Sequence, residues 1–473
     1  MAGRIEEIAE TVEGAWLDEL RADLRGAALT PGDSGYDEAR ALWNGMIDRH
    51  PAVIVHVEST DDVVAALRFA RERGLVVTTR GGGHGVAGNA LSEGGLVVDL
   101  SRLREIAVDP VARTVRAGGG VTLGELDAAT QEHGLATPLG VVTKTGIAGL
   151  TLSGGIGWLR RKHGLAADNL VSLEIVTADG SVLTASADEN AEVFWALRGG
   201  GGSFGVVTAL EYRLHPVGPD VTVAFVLYPG ERGAEVLRAV DEYTASAPDD
   251  VSPIAFLGRV PHGDPFPVGA HGLPYAAVAA VHPGDPAEGE AVLRPLRELG
   301  NPIVDLSGVM PWVEAQGILD EDYPDGWRYY WKSVDLDELG DNALARLAAH
   351  AAAAPSHHST IDVWYHGGAM TRVGAEETAF GRRSAYLIGV EANWEPGDPD
   401  DENVAWARAA VEDLRELSGG GAYLNFPGFF EEGEELLRAS YGERNYERLV
   451  AVKTELDPSN VFGGDGTIKA RRA

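Results

Sequence analysis

The run Arg80-Gly81-Gly82-Gly83-His84-Gly85 constrains this chain more than any other stretch. A strand-like apolar segment over residues 74–79 feeds into three glycines and a histidine. Glycine enters the φ > 0 region without strain and lets backbone N–H groups crowd around a bulky anionic ligand. A histidine inside such a loop has little apolar surface to pack on. It reads as a group that touches the ligand, with Arg80 as a fixed positive charge beside it. The chain has 61 glycines, and they cluster again at 118–120, 154–157 and 199–205. Clusters without a period suggest repeated close approaches of backbone to one ligand.

Two segments match GxGxxG, one from Gly83 to Gly88 and one from Gly200 to Gly205. A dinucleotide fold needs that motif to open a helix whose N-terminus meets the pyrophosphate. Here the first match leads through Asn89 and Gly95 into a strand-like run at 96–100, and the second runs straight into another at 206–210. Neither context is that of a nicotinamide-dinucleotide enzyme.

With 473 residues, 44% of them hydrophobic, the chain can bury a large core in two or three domains. It has no cysteine, which excludes disulfides, thiolate metal sites and a cysteine nucleophile. His357-His358 lacks nearby metal-ligand spacing, so no catalytic metal is expected. A net charge of −33 repels phosphate backbones and argues against nucleic acid as a partner. Glu6, Glu7, Glu10 and Glu13 argue against a signal peptide, and no apolar run reaches the length of a membrane span. The expectation is a soluble, cytoplasmic protein with no membrane partner.

The pattern predicts a helix over 60–73 with Thr60 as N-cap, strands at 75–79, 96–100 and 113–117, and a helix over 122–133. A hairpin joins 171–177 to 181–185 through Ala178-Asp179-Gly180. Pro216-Val217-Gly218-Pro219 reads as a boundary. Beyond it, strands near 221–228, 252–260, 274–281, 359–365 and 384–394 alternate with helices near 231–246, 286–299, 340–353 and 402–417. Alternation in Tyr386-Leu387-Ile388-Gly389-Val390-Glu391 suggests one large antiparallel sheet covered by helices. The tail, 422–473, is expected to hold a short strand and an acidic helix.

Several motifs carry a family resemblance. They include Arg80 to His84, Val98-Asp99-Leu100-Ser101, Gly154 to Gly157 and Arg161-Lys162-His163-Gly164-Leu165. Further along come Thr177 to Gly180, Phe194 to Gly201, Tyr423-Leu424-Asn425-Phe426 and Asp457 to Phe462. Together they resemble the berberine-bridge-enzyme-like oxidases of the vanillyl-alcohol oxidase superfamily. The resemblance implies an α+β fold, with a PCMH-type FAD-binding domain at 1–217 (core about 47–217) and a substrate domain at 218–418. A C-terminal segment at 419–473 would return to the FAD domain. It also implies FAD as cofactor, covalently bound through His84. A neutral imidazole is a competent nucleophile near pH 7. A second, cysteine-borne link known in some members falls at Val142, so only a single link is possible.

The resemblance implies cofactor contacts from Arg80, Gly81, Gly82, Gly83, His84, Gly85, Asn89, Gly118, Thr145, Gly146, Gly149, Gly154, Gly155, Gly157, Asp168, Asn169, Gly205, Val207, Asn425 and Asn460. Gly118 to Gly120, Gly154 and Gly155 would offer N–H groups to the pyrophosphate. Thr145, isosteric with valine, leans towards reaction with O2. The family reaction is hydride abstraction from a C–H bond, here expected at an alcohol carbon of a sugar or natural product, with O2 reduced to H2O2. The alternative is the same fold run as a dehydrogenase or oxidative cyclase with another electron acceptor. Many relatives use a second tyrosine after the asparagine, and this chain has Phe426, which cannot take a proton. That shifts the catalytic base to Glu391, Tyr423 or His366. Glu391 shares a strand face with Leu387, Gly389 and Asn393 by alternation, and burial there would raise its pKa. Tyr423 and Asn425 are expected to share a strand face too. The Tyr329-Tyr330-Trp331-Lys332 cluster would send half its side chains to the core and half to a pocket.

Overall fold

Ser59 starts the first long helix: its hydroxyl accepts from the Asp62 N–H at 3.3 Å, and the helix runs Thr60–Arg73 to Gly74 at φ 63°. Thr60 is therefore the first helical residue rather than the cap, and its hydroxyl donates to Glu174. The helix joins two strands of a small sheet ordered Ala27–Leu29, Val53–His56, Leu96–Asp99, Val77–Arg80. The last three strands are parallel, as a helical crossover requires. The structure, a computed structural model, describes residues 14–382, 384–464 and 466–471. The acidic residues Glu6, Glu7, Glu10 and Glu13 lie outside them.

A second, antiparallel sheet follows in the order Ile106–Asp109, Thr114–Gly118, Val206–Arg213, Leu170–Val176, Val182–Ser186. The third sheet is the largest. Its strands are Val304–Asp305, Asp220–Pro229, Pro274–His282, Ile254–Arg259, Thr360–Tyr365, Tyr386–Trp394 and Arg328–Leu336, with Gly308–Pro311 beside Asp220–Pro229. All its pairings are antiparallel.

Alternation divides this sheet into two faces. Ile361, Val363 and Tyr365, with Ile388, Val390, Ala392 and Trp394, pack under the helices Gly233–Ser246, Pro286–Arg297, Asp341–Ala352 and Asp400–Arg415. Phe256, Trp331, Trp364 and Leu387 face the other way, against Trp43, Val86, Ile156 and Trp158. The sheet is thus sandwiched between its own helices and the glycine-rich half of the chain.

Two expectations about elements fail. Arg328–Leu336 is a strand of the large sheet that the strand series omitted. Its Tyr-Tyr-Trp-Lys run is buried on both faces, so it lacks a hydrophobic alternation to read. Residues 422–430 form turns, not a strand. Phe426 N–H donates to the Tyr423 carbonyl at 2.8 Å, and the Ser333 hydroxyl donates to the Tyr423 and Phe426 carbonyls. Tyr423 and Asn425 therefore meet through a turn, with Asn425 Nδ2 2.7 Å from the Tyr423 hydroxyl.

The seam between the halves holds a buried carboxyl. Asp127, on the helix Leu123–Gln131, accepts from Trp312 Nε1 at 2.8 Å and has no second partner. Burial raises its pKa to about 7. The folded state thus keeps a proton that the unfolded chain releases near pH 4, so stability falls as pH rises from about 4 to about 7. Asp127→Asn keeps an acceptor for Trp312 and cannot ionise. Its melting temperature is expected to exceed that of the wild type at pH 8 and to converge with it towards pH 4, as calorimetry would show.

Candidate active site

One long cavity runs between the glycine-rich half and the large sheet. At one end its walls are backbone: Gly81 to Gly83, Gly146, Gly149, Gly200 to Gly202 and Gly205, with Val207 nearby. The close approach is literal. A Cβ on Gly82 would sit 2.5 Å from the Gly146 nitrogen, and one on Gly146 would sit 2.3 Å from the Gly82 nitrogen. Gly83, at φ 69°, turns the chain so that His84 enters the cavity wall. Gly82→Ala is expected to displace one of these backbones, at a cost of about 1–3 kcal/mol, read as a lowered denaturation midpoint.

His84 is held by stacking. Its ring lies 4.0 Å from that of Trp43 with 15° between planes, and Trp43 stacks in turn on Tyr329 at 3.7 Å. Its Nε2 is buried without a hydrogen-bond partner. Burial lowers its pKa to about 4, so the imidazole is neutral at pH 7. Trp43 and Asn44 join this loop to the large sheet. Trp43 N–H donates to the Gly83 carbonyl, and Asn44 Nδ2 donates to the carbonyls of Val86 and Tyr329 at 2.7 and 2.8 Å.

The other end of the cavity is acidic and aromatic. Glu391 and Asp362, each 1% exposed, face it from neighbouring strands. In the ladders Trp331 lies opposite Glu391, and Asp362 opposite Gly389. Gly389 leaves room for the pair: a Cβ there would meet Asp362 at 3.5 Å and Glu391 at 3.6 Å. Burial raises the Glu391 pKa well above the carboxylate range, and the Asp362 charge raises it further. Burial also raises Asp362, to about 7. Coupling between the two carboxyls favours the proton on Glu391 and the charge on Asp362. Tyr323 donates to Glu391 Oε2 at 2.9 Å.

Tyr423 also lines this end. Its hydroxyl accepts from Asn425 Nδ2 and from the Ile156 N–H at 3.4 Å. Burial still raises its pKa above that of free tyrosine. No cation is among the groups acting on it, so it stays a phenol near neutrality.

Several expected site residues lie elsewhere. His366 lines a separate small void with Asp335, Arg382 and Ser384. Its Nδ1 lies 3.1 Å from the Ser384 carbonyl, and burial lowers its pKa to about 4. The Arg80 guanidinium bonds to the Ala39 carbonyl, with Nε 3.8 Å from Asp99, so it braces the loop from behind. Gly118, Gly119, Gly120 and Gly154 already donate their N–H groups to backbone carbonyls. Gly154 and Gly155 make a left-handed turn, packed so that added Cβ atoms would meet Phe380 and Ala166. Gly157 fits beneath the carbonyls of Leu139 and Gly140. Asp168 accepts from the Leu165 N–H and pairs with Arg382, and Asn169 donates to the carbonyls of His163 and Leu165. Asn460 accepts from the Ala470 N–H. These residues shape the fold around the cavity without lining it.

Gly81, Gly82, Gly83, His84, Gly85, Asn89, Thr145, Gly146, Gly149, Gly205, Val207, Asn425, Tyr423 and Glu391 all line it. Asp362 and Tyr323 were missed. Asp362 could have been found by carrying the alternation of the Glu391 strand across to its neighbour. Tyr323 sits in a loop that no periodicity marks. Among the described residues, no group of three or more His, Asp or Glu side chains is placed to hold a metal ion. No described helix is long and apolar enough to cross a membrane.

A glycine cradle beside a neutral histidine with an unpartnered Nε2, facing a buried acid–phenol end, fits a flavin site. Comparison with known proteins agrees. Residues 51–186 match the FAD binding domain family and residues 422–468 the berberine and berberine-like family. The uncharacterised FAD-linked oxidoreductase YgaK of Bacillus subtilis is 30% identical, covering 96% of this chain and 98% of its own. The (R)-6-hydroxynicotine oxidase of Paenarthrobacter nicotinovorans is also 30% identical, covering 93% and 95%. The crystal structure of 6-hydroxy-D-nicotine oxidase from Arthrobacter nicotinovorans superposes with a TM-score of 0.84 at 29% identity, covering 94% and 98%. The chain belongs to the berberine-bridge-enzyme-like FAD-linked oxidoreductases and is an enzyme of that family.

Proposed function

We propose that this enzyme is an oxidase that carries FAD on His84, removes a hydride from a substrate carbon bearing a heteroatom, and passes the electrons to O2. One observation carries the reading: a neutral histidine with an unpartnered Nε2 and a buried acid pair line one cavity. The glycine backbone, with Asn89 and Thr145 in the same walls, would hold the cofactor. Bound FAD supplies a two-electron acceptor.

The residues of the chain do the rest. The carboxyl pair, with its charge on Asp362, takes the proton from the substrate heteroatom as the C–H hydrogen leaves with two electrons. Tyr423 donates a hydrogen bond that orients the substrate. Trp331, Phe256 and Leu387 exclude water from the acids and keep their pKa values high. O2 then takes up the two electrons and two protons to give H2O2.

Four results test this reading. Acid-denatured wild-type protein should retain one FAD by intact mass, and His84→Ala should release it. Turnover in air should yield one H2O2 per substrate, and lack of peroxide under air would point to a different acceptor. The base must be ionised, so kcat/KM should rise with pH, reach half its limit near 7 and level off about one unit above. Asp362→Asn should lower turnover by about two orders of magnitude or more, since general-base catalysis contributes about 10²–10⁴-fold.

A further inference from the structure

The imidazole of His84 belongs to a three-ring stack. Trp43 lies against it at 4.0 Å with 15° between the planes, and Tyr329 stacks on Trp43 in turn at 3.7 Å with 13° between them. The two supporting rings are locked. The Trp43 indole donates to the Tyr323 carbonyl at 2.9 Å, its backbone N–H donates to the Gly83 carbonyl at 3.3 Å, and its carbonyl accepts from the Gly326 N–H at 2.9 Å. The Tyr329 hydroxyl donates to the Pro324 carbonyl at 2.5 Å. Trp331 stands edge-on to both, at 5.2 Å from Trp43 and 5.8 Å from Tyr329. Trp43 and Tyr329 are buried.

Stacking fixes the plane of the His84 ring, because a tilted ring loses the face-to-face contact. It leaves the edge of the ring free, and the lone pair of a basic imidazole nitrogen lies in the ring plane. Nε2 is buried without a hydrogen-bond partner, and the ring lines the cavity. The loop itself cannot supply this restraint. Gly82, Gly83 and Gly85 have no side chains to pack on the imidazole, and Gly83 sits at φ 69°. The ring plane is therefore set from outside the loop, by a tryptophan anchored on the large sheet through Tyr329 and on the loop before it through Tyr323.

We infer that Trp43 is a positioning residue for flavin attachment, its indole holding the His84 ring in the plane from which a nitrogen meets the flavin. The inference rests on the tethered-FAD reading above. Attachment joins an imidazole nitrogen to the 8α-methyl carbon of the flavin. The imidazole and that carbon each give up one proton. Two electrons stay on the flavin, and O2 takes them up with two protons as H2O2. Trp43 exchanges neither protons nor electrons in this step. Its share is orientation, and a misplacement of about 1 Å between reacting groups can cost about 10²-fold in rate.

Trp43→Met tests this, since methionine fills the space with a flexible apolar chain that imposes no plane. The full-length protein is purified at intervals after induction, and total FAD, acid-stable FAD and melting temperature are measured on each sample. At the first interval the acid-stable fraction of the bound FAD is expected to be about tenfold or more lower in W43M than in wild type. W43F, which restores a flat ring, is expected to recover about half or more of the wild-type fraction. A smaller fall in W43M overturns the inference, whether or not total FAD and melting temperature fall with it, because a merely structural role would lower those and leave the fraction alone. W43F no better than W43M also overturns it. If W43M does not accumulate as folded protein, a crystal structure of the flavin-loaded wild type decides. There the His84 ring must still lie on Trp43, and a ring swung off the indole overturns the inference. Wild type that releases all its FAD in acid fails the cofactor reading and this inference together. Acid-stable FAD in wild type and W43M alike fails the inference alone.

Discussion

The placement of the whole site depends on a two-residue staple, Trp43 and Asn44. Trp43 stacks between His84 and Tyr329, and its indole N–H donates to the Tyr323 carbonyl at 2.9 Å. Asn44 bridges the carbonyls of Val86 and Tyr329. On one side the staple grips the glycine loop, through His84 and Val86, and on the other the large sheet and the loop that feeds it, through Tyr329 and Tyr323. Ring stacking and buried hydrogen bonds have narrow geometric tolerance. They fix the distance across the cavity in a way that apolar burial alone would not.

That rigidity is what lets the acid pair stay buried. Two carboxyls in one dry pocket repel each other and lose hydration, and they persist only where the surrounding structure holds them. Here the sheet ladder sets their spacing, Gly389 leaves the gap, and Tyr323 supplies a donor. The cost of burial is carried by packing on both faces of the sheet, from the helices beneath and the glycine-rich half above.

Much of this was legible in the sequence, for physical reasons. The Glu391 face could be read because the Tyr386–Trp394 strand alternates between a helix-covered core and a cavity. His84 could be read because a histidine among glycines has nothing to pack on locally. The helices past residue 230 follow from their apolar periodicity. The failures are equally physical. Gly118, Gly154 and Gly157 looked like ligand contacts, yet they are required by close packing against Leu103, Phe380 and the Leu139 carbonyl. Backbone meeting backbone and backbone meeting ligand leave the same mark on a sequence. Arg80 and Asp168 have charge partners far along the chain, Asp99 and Arg382, which no local pattern reveals. Asp362 became visible only through register, which is a property of two strands together.

The tail of the chain also bears on biosynthesis. Phe462 pairs with Val77, the Val77 N–H donates to the Val461 carbonyl, and Phe462, Gly463, Gly466 and Thr467 complete one end of the cavity. Lys453, fully buried, ties this turn down through Asp457 and the carbonyls of Ser203 and Phe462. The glycine cradle emerges from the ribosome nearly four hundred residues before the wall that encloses it. Until that wall is made, the pocket stays open on this side. Closure of the cavity therefore waits on residues made long after the cradle, which spends that interval without its far wall.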